Sequence, residues 1–166
     1  MRFKLAVAAL AATAVSLGGA SLASANPGDH NGDGRTFFAR TVQSTTIDVG
    51  DKGFSLGDQF VFTDDLYNKK GGDKIGTDGG VCTIVRVTSA DDQTGTAQCV
   101  VTASITDHGQ ITTQGLVDVS GDDTPPPFDQ AITGGTGDFA DAGGYITVEE
   151  LNATDSNITV HLLHLS

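Results

Sequence analysis

The sequence predicts an all-β fold of eight strands, and three observations lead there. Short runs rich in Val, Ile, Thr and Phe recur along the chain, separated by clusters of Gly and Asp. No stretch repeats apolar residues at the spacing that gives a helix one buried face. The 22 glycines among 166 residues weigh further against helices, because each glycine costs a helix interior about 1 kcal/mol relative to alanine.

The chain opens with a segment expected to lie outside the fold. Arg2 and Lys4 precede an apolar run from Leu5 to Leu22, and Ala23-Ser24-Ala25 has the small-x-small form that a signal peptidase cleaves. A secreted protein starting at Asn26 is the expectation, with residues 1–25 as its signal peptide. Thr13, Ser16, Gly18, Gly19 and Ser21 dilute the run, whereas a membrane anchor needs about 20 strongly apolar residues. No membrane association is therefore expected after cleavage. Residues 26–35, "NPGDHNGDGR", have no apolar periodicity and read as a flexible arm ahead of a single domain at 36–166.

Strands are expected at 36–49, 58–66, 80–88, 96–106, 110–120, 128–133, 145–151 and 157–165. Most connections are short and turn-like. The exception is "GDDTPPPFD", 121–129, where three successive prolines cannot donate ladder hydrogen bonds and an extended surface loop is expected. Eight antiparallel strands hide their edges by closing into a barrel, filled with side chains or holding one small ligand. A two-sheet sandwich is the competitor, and strand counting does not separate the two.

Cleavage after Ala25 leaves 141 residues, enough for one core. It also removes Arg2 and Lys4 from the nine basic residues, so seven face 21 acidic ones and the formal charge is −14. Such a charge repels phosphate backbones and anionic lipid, which excludes a nucleic-acid function. The two cysteines, Cys82 and Cys99, read as a disulfide in an oxidising compartment. A hairpin turn within "TSADDQTG", centred between Ala90 and Asp91, sets them opposite each other at bridging distance.

"AITGGTGDFADAGG", 131–144, spaces Gly135, Gly137 and Ala140 as a dinucleotide-binding turn does. That turn must open a helix within a strand-helix-strand unit of about 30 residues, and only 26 residues follow Ala140. Gly134, Gly135 and Gly137 are instead expected to give the backbone room in a turn between strands. No cofactor is expected.

Three blocks together carry a family resemblance: "SLGDQFVFTDDLYNKKGGDKIGTDGGVC" at 55–82, "HGQITTQG" at 108–115 and "AITGGTGDFADAGGYITVEEL" at 131–151. Their order and spacing resemble the allene oxide cyclase barrel family, with a fainter similarity to plant dirigent proteins. The resemblance implies an eight-stranded antiparallel up-and-down barrel, a homotrimer, and an apolar cavity. In such a cavity a small apolar or amphipathic molecule is held in one conformation while it cyclises or couples, without a cofactor. Holding a flexible reactant in one near-attack shape lowers the entropic part of its barrier.

Carried over by position, the cyclases' pocket asparagine in the segment resembling "FTDDLY" falls on Asp64, which can accept a water's hydrogen bonds but not donate when ionised. Phe60, Phe62 and Asp64 share one strand face, an apolar wall ending in one polar group. Cys82 corresponds to a cysteine of the cyclase pocket. The family's tyrosine after "QG" falls on Val117, and its glutamate in the first strand has no counterpart within 36–49. The expectation is a ligand-binding barrel with Phe60, Phe62, Asp64 and Val117 in the pocket, the catalytic groups unassigned. The alternative is a non-catalytic extracellular binding or structural protein.

Other signals are weaker. "DHNGDG", 29–34, fits the first half of a calcium loop, but the twelfth position is Arg40 where a bidentate glutamate belongs. His161 and His164 are three apart on an expected strand and point to opposite faces, so no metal is assigned. Asn152 and Asn157 fit the glycan acceptor pattern.

Overall fold

A computed structural model describes residues 34–121 and 125–163. Eight strands follow in order: β1 (Arg35–Ile47), β2 (Gln59–Tyr67), β3 (Lys74–Ser89), β4 (Thr94–Ile105), β5 (Gly109–Val119), β6 (Phe128–Gly135), β7 (Gly144–Glu150) and β8 (Asp155–Leu162). Each pairs with its neighbour in sequence, and β8 returns to pair antiparallel with β1, closing a barrel. Closure decides between barrel and sandwich. Among the described residues every strand has a paired neighbour on each side.

Several strand bounds differ from the sequence expectation, each for a local reason. β1 stops at Ile47 because the Asp58 carboxylate accepts hydrogen bonds from the backbone N–H of Val49 (2.8 Å) and Ser55 (2.7 Å), which folds the following segment into a turn. β3 starts at Lys74, not residue 80. Glycine is required along this strand because neighbours crowd it: a Cβ on Gly76 would strike the Ser104 carbonyl, and one on Gly80 the Phe62 ring. The β3–β4 register pairs Cys82 with Cys99, and the disulfide is formed. Two irregularities nearer the turn shift its closure to Ser89 opposite Thr94.

Between β6 and β7, Gly137–Phe139 form a single 3-10 turn. Gly134 (φ 143°) and Gly137 (φ 62°) adopt positive φ, and a Cβ on Gly135 would strike the carbonyl oxygens of Gln110 and Phe139. The signal-peptide segment, the calcium-like turn apart from Gly34, and His164 lie outside the described residues.

Outside the barrel, Arg40 donates two hydrogen bonds to Asp155 (2.8 and 3.1 Å), fastening β1 to the start of β8. Arg40 and Lys70 both sit over the Phe38 ring at 5.4 Å, covering an outward aromatic that is 2% exposed. Inside, apolar side chains form two clusters. One joins Ile84, Ala97 and Cys99 to Phe54 and Val117; the other joins Ile132, Ile146 and Val148 to Ile111 and Phe128. Among the described residues no large side chain is completely buried. The interior is lined, not filled.

Candidate functional site

Inward-facing residues of all eight strands line one cavity of about 1490 Å³. Its wall runs from Arg35, Lys74 and His108 at one end to Asp48, Phe54 and Gln93 at the other. Pockets that bury drug-sized ligands span about 300–1,000 Å³, so this cavity has room for several fused rings and accompanying water. Phe60, Phe62, Asp64 and Val117 all line it. The Phe60 and Phe62 rings stack at 5.6 Å and 24°, with Phe60 45% exposed toward the mouth. Val117 packs beside the inward-facing disulfide.

The polar part of the wall includes an acidic cluster. Asp64 lies opposite Asp78 in the β2–β3 ladder and opposite Thr41 in the β1–β2 ladder. Both carboxyls face the cavity, yet they are only 7% and 6% exposed. One oxygen of each, Asp64 Oδ1 and Asp78 Oδ1, is buried with no hydrogen-bond partner. Burial, with the Asp64 charge second, pushes the Asp78 carboxyl up to about 7. Asp64 is also raised by burial, against hydrogen bonds to Thr41 and Asp78. Glu150, on the same cavity wall from β7, is raised by burial and then by the charge of Asp64. Two carboxyls this close titrate as a pair. Burial keeps a proton on the pair well above the ordinary carboxylate range, so the pair presents an acid beside a base, as general acid–base catalysts do.

Asp78 and Glu150 escape a reading of the sequence alone. Asp78 sits in "GTDGG", where glycines mimic a turn, and Glu150 in an acidic pair of alternating character. The available signal was period-two spacing: Asp78, Gly80 and Cys82 share a face, as do Ile146, Val148 and Glu150.

The remaining candidates lie elsewhere. His161 stacks on Tyr145 at 4.4 Å. The Asn152 side chain accepts hydrogen bonds from the backbone N–H of Thr154 (2.9 Å) and Asp155 (3.0 Å), and Asn157 donates one to Glu149 (3.2 Å). Among the described residues no three His, Cys, Asp or Glu side chains converge as metal ligands would. No helix among them is long and apolar enough to cross a membrane.

Residues 39–162 match the family described as allene oxide cyclase barrel-like domain. The chain belongs to that family. Among solved structures, a pyocyanin demethylase superposes with a TM-score of 0.67 at 30% identity, covering 78% of this chain and 99% of that one. A pterocarpan synthase dirigent protein (TM-score 0.58, 16% identity, 79% of this chain and 86% of that one) has the same fold. So does a Diels–Alderase from Streptomyces koyangensis (TM-score 0.58, 13% identity, 82% and 72%). No curated protein matches the sequence. In this allene oxide cyclase barrel-like chain, Val117 leaves the wall beside the disulfide apolar, and the buried polar groups with an unsatisfied carboxyl oxygen in that wall are Asp64 and Asp78.

Proposed function

We propose that this secreted barrel binds a small, flat, largely apolar molecule in its interior and handles a proton on it through Asp64 and Asp78. The observation that carries the reading is the cavity of about 1490 Å³ with two facing, nearly buried carboxyls in its wall. The apolar surface selects and orients the molecule, while the shared proton steers cyclisation, coupling or tautomerisation without a bound cofactor. The likeness to a pyocyanin demethylase at 30% identity supports a fused heteroaromatic ligand. The Cys82–Cys99 disulfide supports an extracellular setting, where such bonds persist, and family membership supports a trimer. Binding without catalysis is the second reading, favoured by the apolar Val117 at the place of a family tyrosine.

The test is to express the full chain with its own leader, purify the exported protein and analyse an organic extract by mass spectrometry. A co-purifying aromatic molecule, displaced by the neutral fluorophore N-phenylnaphthylamine, is expected. No extracted molecule together with no uptake of the fluorophore overturns the reading.

A further inference from the structure

The cavity wall carries more buried negative charge than it can neutralise. Asp64 and Asp78 face each other more than nine-tenths buried, and each keeps an oxygen with no hydrogen-bond partner. Around them β1 contributes Thr41, β7 Glu150 and β4 the side chain of Ala103, none of which is a cation. Asp65, next in β2, adds a further negative charge.

Every basic side chain on the cavity wall is engaged elsewhere. The Arg35 guanidinium lies over the Phe37 ring at 5.2 Å, and Lys74 bonds Asp65 at 2.5 Å. His108 Nδ1 is 2.7 Å from an Asp138 oxygen. A buried carboxylate needs a counter-charge or a proton, and among the described residues no cation is set beside the pair.

Resting on the reading above, we propose that the cavity's ligand carries a protonated nitrogen on an aromatic framework, with the nitrogen seated between Asp64 and Asp78. The stacked rings of Phe60 and Phe62, on the same face of β2 as Asp64, offer a π surface to the rest of that framework. An N–H donor of the cation satisfies the orphan oxygens. An anionic ligand is repelled by the pair, and a neutral one leaves its charge uncompensated. The seated cation displaces the pair's proton to solvent, and the cation's own N–H becomes the proton that the two carboxylates handle. Affinity for a permanent cation therefore rises as the pair ionises, from weak acid through neutral pH.

The probes are two tricyclic fluorophores of similar shape, 9-aminoacridine as the cation and acridone as the neutral analogue, titrated into the protein purified after expression of the full chain. At about pH 8 the cation should bind about tenfold or more tighter, and the ratio should shrink toward pH 5. Asp64→Asn with Asp78→Asn should erase the preference, with folding verified by circular dichroism. Glu149→Gln, on the outer face, should keep it. Equal binding of both probes at every pH overturns the inference and leaves the ligand-binding reading standing. Binding of neither overturns the cavity reading itself. A preference that survives in the double variant, or is lost in Glu149→Gln, traces to general surface charge and also overturns the inference.

Discussion

Asp64 and Asp78 are direct partners across the β2–β3 ladder, facing one cavity with an unsatisfied oxygen apiece. Like charges directly opposed on a sheet destabilise it, so this pair costs folding energy that the ladder around it must offset. Such a cost points to a site kept for binding or chemistry.

The cost should be visible in the pH dependence of stability. The folded Asp78 carboxyl keeps its proton up to about 7, against 3.8 for an ordinary one. Folding therefore takes up a proton between those values, and stability falls as pH rises from about 4 to about 7, then levels. Asp78→Asn should reduce that decline, leaving the smaller part due to Asp64 and Glu150, and melt higher than the parent at about pH 8, by about 4 °C for each kcal/mol regained. Scanning calorimetry of both proteins from about pH 5 to about pH 8 checks it; parallel curves would refute it.

Gly80 sets the shape of the cavity through Phe62. A Cβ there would lie 2.8 Å from the Phe62 ring and equally close to Val101, so Gly80→Ala must push the ring into the ligand space. Uptake of a tricyclic probe should weaken by about tenfold, the scale of one misplaced carbon in a fitted pocket. At Gly79 the nearest atom to a Cβ is 3.6 Å away. Gly79→Ala should therefore leave the titration unchanged.

The Cys82–Cys99 bond closes a loop with a sequence separation of 17 between two long strands. In the chain-entropy model a loop of this length stabilises by about 3 kcal/mol. Reduction, or paired Cys→Ala replacement, should lower the denaturation midpoint accordingly. It should also loosen the wall where Phe54 and Val117 pack on the disulfide. Urea unfolding with and without reductant measures the difference.

The Arg40 hydrogen bond first, then Asn152 and the charges of Arg40 and Lys70, hold the Asp155 carboxyl down to about 2. This contribution is fully present above the ordinary 3.8 and is lost as pH falls through about 2. Arg40→Ala should raise the pH at which acid unfolds the protein and uncover Phe38, without changing probe uptake. Acid titration followed by tyrosine fluorescence checks both.

Much of this was legible along the chain. Strand-length runs of Val, Ile, Thr and Phe mark eight elements, and the alternation of Phe60, Phe62 and Asp64 marks one face of β2. The hairpin spacing of Cys82 and Cys99 placed them in register. Local patterns suffice for these features because strand pleating and tight turns are local physics.

Other features depend on which strands become neighbours. Closure of β8 onto β1 distinguishes the barrel from a sandwich, and it forms only when the accumulated twist and stagger of eight strands bring the ends together. The assembly of Asp64, Asp78 and Glu150 from three strands is of the same kind. Each carboxyl reads alone as a solvated acidic residue, the usual state of an aspartate. Only the closed barrel turns all three inward, buries Asp64 and Asp78 and, among the described residues, sets no cation beside them, and those effects together make them a site.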